Sequence, residues 1–240
     1  MQKIRPAATV MLLREKEQNF EVLLLRRNSK LKFAPSFWVF PGGKIEEEDR
    51  LVSINDVEAA KLAAVREATE EAGVNMLTKD IHYFCHWTTP PMQKRRFGTS
   101  FFIGILPKKQ ADNIVIDDGE IKDYMWIGLK EALKKNDAKE VAMLPPTYLA
   151  IQRFSKCTSE QDILKETQKV QPKVLPTVGV QQMDPPIMHY IYEGDAAYKN
   201  GQYDTPGPRH RLIGGMNGGC LLYTSPSPRD QRGSRMPSSA

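Results

Sequence analysis

Cysteine is scarce in this 240-residue sequence: Cys85, Cys157 and Cys220 stand far apart, are odd in number and form no C-x-x-C pair. That pattern speaks against a disulfide framework and against a structural zinc site. Reduced thiols in the cytoplasm are the simplest expectation. Long apolar runs are also missing. None approaches the roughly 18 residues a membrane span needs, so no membrane is expected as a partner. Met1 to Arg14 lack the basic, apolar and small-residue segments of a secretory leader. Charge of one sign is in slight surplus, 34 Lys and Arg against 29 Asp and Glu, for a net +5. From Asn217 onward Arg229, Arg232 and Arg235 face Asp230 alone, so the remainder carries +3. That is too little to call for a nucleic-acid partner. There is no internal repeat.

What is present suits a globular α/β chain, with 40% hydrophobic and 26% charged residues and enough length for a core without staples. Pro6–Leu13 and Phe20–Arg27 read as strands of an opening hairpin around a polar turn, Arg14–Asn19. A short aromatic strand, Phe37–Phe40, is stopped by Pro41-Gly42-Gly43, where a sharp turn is expected. Asp56–Ala72 has helical spacing, with Asn55 or Asp56 as its cap and Gly73 closing it. Further strands are expected over Ile81–Thr88, Thr99–Leu106 and Tyr124–Ile127. Helices are expected over Leu129–Lys135, Pro146–Phe154 and Glu160–Thr167. Gln171–Gln202 is mixed, with Met188–Tyr192 as its best strand, and should pack back on the domain. The organisation expected is one domain over 1–200 including a C-terminal extension, then a linker over 201–219. Cys220–Ala240 is rich in Ser, Pro and Arg without periodicity. It resembles the conceptual translation of sequencing-adaptor read-through, and is set outside the fold as a non-native tail.

The chemistry lies in Arg66-Glu67-Ala68-Thr69-Glu70-Glu71-Ala72-Gly73-Val74. Glu67, Glu70 and Glu71 fall at i, i+3 and i+4 and share one helical face, while Ala64, Val65, Ala68 and Ala72 form the other. Three carboxylates on one stripe repel one another unless a cation joins them. Oxygen donors of this kind suit Mg²⁺ or Mn²⁺, which bridge phosphate oxygens and lower the pKa of an attacking water. A solvated acidic face is the plainer account of an isolated E-x-x-E-E. Downstream, Asp117-Asp118-Gly119-Glu120 precedes the strand Tyr124–Ile127. Glu120 is a candidate further metal ligand or base, or else part of an exposed acidic turn. Arg26, Arg27, Lys94, Arg95 and Arg96 could grip phosphates, although neighbours in a strand point to opposite faces.

These residues together resemble the Nudix box, G x5 E x7 R E U x E E x G U, where U is bulky and aliphatic. Gly43 stands at its glycine, Glu58 eight residues before Arg66, Ala68 and Val74 at the U positions, and Gly73 at the last glycine. Fourteen residues, Lys44 to Val57, separate Gly43 from Glu58 where the pattern has five. The resemblance implies the Nudix fold, a mixed sheet sandwiched between helices. It implies that the Gly43 carbonyl joins the metal shell with Glu67, Glu70 and Glu71, and that Glu58 pairs with Arg66 to brace loop and helix. Leu23–Arg27, Trp38–Gly43, Trp87–Pro90 and Arg95–Phe97 further resemble the nucleoside-diphosphate-linked moiety X motif 19-like subfamily, which also interrupts the box. That likeness implies hydrolysis of coenzyme A or acyl-CoA to 3′,5′-ADP and 4′-phosphopantetheine, with Glu67 or Glu120 acting on the water. A MutT-like or nucleotide-sugar diphosphatase is the rival enzyme, and a nucleotide sensor without catalysis the rival of another class. The partner in each case is a small nucleotide; oligomeric state is left open.

Overall fold

The computed structural model describes residues 3–17, 19–31, 34–89, 95–169, 178–184, 187–191, 195–209, 211–215 and 222–224. The chain divides into two compact units, Met1–Val174 and Leu175–Ala240. In the first, the strands are β1 (Ile4–Lys16), β2 (Asn19–Arg27), β3 (Trp38–Val39), β4 (Gly42–Lys44), β5 (Ile81–Thr88), β6 (Arg96–Ile105) and β7 (Ile121–Gly128). The helices are α1 (Glu47–Leu51), α2 (Asp56–Ala72), α3 (Lys108–Ala111), α4 (Leu129–Asp137), α5 (Pro145–Phe154) and α6 (Glu160–Gln168). No helix among the described residues is long and apolar enough to cross a membrane.

The sheet runs β3-β2-β1-β6-β5, with β4 also on β1 and β7 on β2. The expected hairpin forms, Leu13 opposite Val22, but the longest ladder of β1 is parallel to β6, unbroken from Ile4 opposite Arg96 to Leu13 opposite Ile105. The sheet is therefore mixed. Alternation decides its two faces. Ala8, Val10 and Leu12 of β1 and Leu23 and Leu25 of β2 pack in one cluster with the α2 alanines 60, 63, 64, 68 and 72. Alanine favours the helix and lets it lie close to the strands. Met11, Leu13 and Leu24 point the other way and are fully buried too. On that side Phe84 of β5 meets Phe154 of α5 edge-to-face, ring centroids 5.0 Å apart.

The boundaries of α2 agree with expectation because its caps are strong. The Asn55 side chain accepts from the Val57 and Glu58 amides at 3.0 Å, so Asn55 rather than Asp56 is the cap. Gly73 takes the left-handed conformation, φ 67°, which costs glycine nothing. Several segments differ from expectation, among them β1, which runs on to Lys16 through the expected turn, and α3, which lies where no helix is expected. Pro41-Gly42-Gly43 does not simply turn; Gly42–Lys44 is a strand antiparallel to Ala7–Thr9, since a backbone without side chains can lie against β1. The fourteen residues between Gly43 and Glu58 contain α1. A β-bulge also interrupts β5, where Tyr83 opposes Phe102 but Cys85 opposes Phe101.

The second unit holds β8 (Val178–Gln182), β9 (Ile187–Ile191), β10 (Arg211–Gly215) and β11 (Leu222–Thr224), an antiparallel sheet in the order β11-β10-β9-β8. Met188–Tyr192 was the strand expected here, and β9 begins one residue earlier. Leu222–Thr224, in the segment that composition sets apart, pairs with Arg211–Ile213; backbone pairing of this length needs no side-chain periodicity. Arg211 is buried with Asp195, 2.7 Å from Nε to Oδ2. His189 stacks on Tyr203, centroids 4.9 Å apart.

Candidate active site

Arg66 is the hub. Its Nε and Nη2 donate to the two oxygens of Asp49 at 3.3 and 3.1 Å, and Nη2 also donates to the Lys44 carbonyl at 3.0 Å. Nη1 reaches Glu67 at 3.1 Å and Glu70 at 3.2 Å. The arginine thus ties α2 to α1 and to β4 with planar, bidentate geometry that lysine could not reproduce. Asp49 is buried and accepts from the Glu46 amide at 2.9 Å, closing the first turn of α1.

This corrects the brace expected of Glu58. The ion pair formed by Glu58 is with Lys61, one turn along the same helix, at 3.1 Å. Eight residues of continuous helix put Glu58 about 12 Å along the axis from Arg66, too far for a shared contact. Asp49 stands outside the pattern when it is aligned on Arg66, yet its signal is in the sequence. Counting five residues forward from Gly43 lands on Asp49. The additional residues of the interrupted box then fall between Asp49 and Arg66, where sixteen residues stand in place of seven.

Glu67 and Glu71 face the Pro-Gly-Gly segment. A Cβ on Gly43 would overlap the Glu67 carboxylate, so glycine is what admits that side chain. Glu71 accepts from the Gly42 amide at 2.9 Å and is only 7% exposed. Burial pushes its carboxyl up to about 8; the Gly42 amide and Arg27 oppose the rise, while Glu67 and Glu120 add to it. Burial likewise raises Glu67, against the Arg66 charge and with Glu70 and Glu120 reinforcing it. Desolvation is the leading cause in both, and it outweighs the arginine charges beside them. Glu70 differs: its side chain is 57% exposed and leans on Arg66. Among the described residues no three acidic, histidine or cysteine side chains are drawn together as a metal would hold them, and the diversion of Glu70 to Arg66 is one physical reason.

The remaining candidates separate. Arg27 pairs with Glu120 at 3.4 Å, and the fields of both reach Glu71. Glu120 is 62% exposed, and its amide bonds Asp117 Oδ2 at 2.9 Å, so Asp117 shapes the turn that presents it. Arg26 instead lies over the Trp38 ring, 5.8 Å from its centroid, and 3.8 Å from Asp123. Arg96 Nε donates to the Thr89 carbonyl at 3.0 Å. Arg95 is exposed, and Lys94 lies outside the described residues. Trp126 Nε1 bonds the Ala111 carbonyl at 3.0 Å, with Arg14 stacked on its ring. It is a packing residue.

Comparison with known proteins supplies the family. A model described as "NUDIX domain" matches residues 3–145. A protein named putative nudix hydrolase 7, from Caenorhabditis elegans, is 25% identical over 229 residues, covering 81% of this chain and 74% of that protein. The peroxisomal coenzyme A diphosphatase ndx-8 of the same organism is 27% identical, covering 52% of this chain and 49% of its own length. The human acyl-coenzyme A diphosphatase NUDT19 is 23% identical, with coverages of 62% and 64%. The chain thus spans only about half to two thirds of the two coenzyme A diphosphatases. Among solved structures, a NUDIX hydrolase from Alicyclobacillus acidocaldarius superposes with a TM-score of 0.59 at 20% identity, over 69% of this chain and 97% of that one. At that identity the likeness concerns the fold, the mixed sheet between helices.

Proposed function

The chain belongs to the NUDIX family of hydrolases, and from that premise we propose that it cleaves the diphosphate linkage of a nucleoside diphosphate derivative. Coenzyme A or an acyl-CoA is the substrate, and 3′,5′-ADP and (acyl-)4′-phosphopantetheine are the products. The observation that carries the reaction class is the carboxylate pair, Glu67 lying against Gly43 where a Cβ would overlap it and Glu71 accepting from the Gly42 amide, with burial raising the pKa of both. Support for the substrate comes from two relatives named as coenzyme A diphosphatases.

The donors fit a hard divalent cation. Glu67, Glu70, Glu71 and the Gly43 carbonyl are all oxygen ligands, and a cation beside Glu67 and Glu71 would offset the desolvation that raises them. When bound, Mg²⁺ or Mn²⁺ neutralises the diphosphate and lowers the pKa of a coordinated water. Glu70 would exchange Arg66 for the cation, and its exposure leaves it free to swing. Arg66, still held by Asp49, keeps α2 fixed against β4 while it does so. Either Glu67 or Glu120 orients the water and takes its proton. Arg27, already beside Glu120, faces the charge of the diphosphate, and Arg96 with Lys94 and Arg95 serves phosphates further along the substrate. Arg26, spent on Trp38 and Asp123, is the weakest of the proposed phosphate ligands.

The test is product analysis by mass spectrometry on the full chain incubated with CoA, acyl-CoA, NADH, ADP-ribose and dNTPs, with Mg²⁺, with Mn²⁺ or with chelator. Metal-dependent release of 3′,5′-ADP from CoA or its esters is expected. Turnover of another nucleotide alone would keep the chemistry and replace the substrate. Binding without turnover of any would replace the enzyme with a sensor. Glu70→Gln should lose most turnover and stay folded; full turnover by that variant would remove the metal stripe from the mechanism.

A further inference from the structure

We propose that His86, steadied by Ser100, contacts the nucleoside part of the substrate, an inference that rests on the diphosphatase reading above. Its basis is strand register. Gly43 lies opposite Ala8, Ala8 opposite Ser100 and Ser100 opposite His86, so one row crosses four strands. Ala8 is in the core beneath α2, and so is Phe102, two residues beyond Ser100, with Tyr83 packed against it. Alternation then puts Ser100 and His86 on that same face, the face on which Glu67 lies against Gly43. Three strand spacings, about 14 Å, separate the ends of the row. A nucleoside joined to a diphosphate held at Gly43 extends over that distance.

The bulge in β5 is what turns His86 inward. Without it Phe84 would oppose Phe101, and Cys85 would oppose Ser100 and face the site. The extra residue sends Phe84 and Cys85 together to the far side, where Phe84 meets Phe101 and Phe154. Bulges next to active sites commonly re-aim a side chain in this way. His86 Nδ1 is 3.3 Å from Ser100 Oγ, and its Nε2 lies over Gly98, where a Cβ would stand 3.0 Å from it. Gly98 therefore gives the ring room to lie flat along β6. The imidazole is half-buried, and burial lowers its pKa, so it presents a neutral ring with one donor and one acceptor.

Its surroundings suit a nucleoside. Ile4, Pro6 and Arg96 share the face by the same alternation, with Ile4 opposite Arg96 and Pro6 opposite Gly98. Ile4 and Pro6 are exposed, an apolar shelf on which a base can rest. Arg96 adds a cation at the edge, suited to a phosphate carried on the ribose.

Calorimetry on the full chain in chelator reads binding without turnover, using 3′,5′-ADP, ADP and AMP as nucleoside probes and 4′-phosphopantetheine as the other half. His86→Ala should weaken the nucleoside probes about tenfold and leave 4′-phosphopantetheine within about twofold. Ser100→Ala should give a smaller loss with the same selectivity. His86→Gln, which keeps an amide in the place of the ring, covers the case in which the alanine variant fails to fold, and should recover part of the binding. With CoA as substrate, KM should rise while kcat stays within about threefold. Equal loss for both halves would reduce His86 to a structural residue, and unchanged nucleoside binding, or none in the wild type, would end the proposal. A protein that cleaves a different nucleotide overturns the coenzyme A reading alone, and His86 is then judged on AMP and ADP.

Discussion

Replacing Asp49 with alanine should destabilise the protein far more than replacing Glu58, although the sequence pattern assigns the brace to Glu58. Asp49 has a side chain 6% exposed, against 30% for Arg66. Breaking a buried ion pair from one side costs about 3–5 kcal/mol when the abandoned charge has no other partner. Here Arg66 keeps Glu67, Glu70 and the Lys44 carbonyl and touches solvent, which brings the cost down to about 1–2 kcal/mol. Loss of the bond to the Glu46 amide adds about 0.5–1 kcal/mol. The sum, about 1.5–3 kcal/mol, lowers Tm by roughly 3–12 °C in a chain of this size. Glu58→Ala removes a helix-surface pair with Lys61 and should cost at most about 0.5 kcal/mol. Urea titration of both variants, with Arg66→Ala and the Asp49/Arg66 double variant, gives the coupling energy directly. A Glu58→Ala cost equal to or above that of Asp49→Ala, or no coupling between 49 and 66, would refute the brace described here.

Three further outcomes follow from the same geometry. In chelator, stability should fall as pH rises from about 4.5 towards 8, because Glu71 holds its proton in the folded state up to about 8 and loses it near 4.5 when unfolded; the native state binds more protons in that window. Thermal melts across it should show a slope that Glu71→Gln flattens, and an unchanged slope would contradict a neutral Glu71. Gly73→Ala must adopt a φ of 67° with its Cβ 3.2 Å from Val115 and should cost about 1 kcal/mol by urea titration; no loss would mean the cap relaxes. Cys85 is buried, with its thiol pushed up to about 12 by burial, so iodoacetamide at pH 8 should leave it unmodified in the native protein and label it in urea, as read by peptide mass mapping.

How far the sequence reaches depends on the range of the interaction. α2 was legible to the residue because its signals are local: Asn55 capping, alanines at helical spacing, Gly73 beyond the end. The carboxylates Glu67 and Glu71 were legible for the same reason, and so was the opposite orientation of Arg26 and Arg27. What escaped depends on partners far along the chain. β4 was hidden because Pro-Gly-Gly reads as a turn until β1 is there to pair with it. Asp49 escaped because the interrupted box was counted backwards from Arg66, and a helix cannot fold back to let Glu58 reach its own arginine. His86 was silent, since its direction is set by a bulge that no period-2 pattern reveals, and β8 and β10 carry too little apolar alternation to be recognised alone.

The parallel ladder of β1 on β6 joins residues roughly ninety apart, and beyond the short pairing with β3 β2 finds the longer ladder along Glu21–Arg27 only in β7. During synthesis β1 and β2 emerge first as a hairpin whose apolar residues have nothing to cover them. At about five to twenty residues per second the interval before β7 is available is roughly five to twenty seconds. Closure of so distant a contact also makes folding slow once the strands are present. The runs Val10–Leu13 and Val22–Leu25, fully buried in the finished protein, are therefore the part of the nascent chain with the longest exposure, and the part on which a chaperone binding extended apolar strands would act.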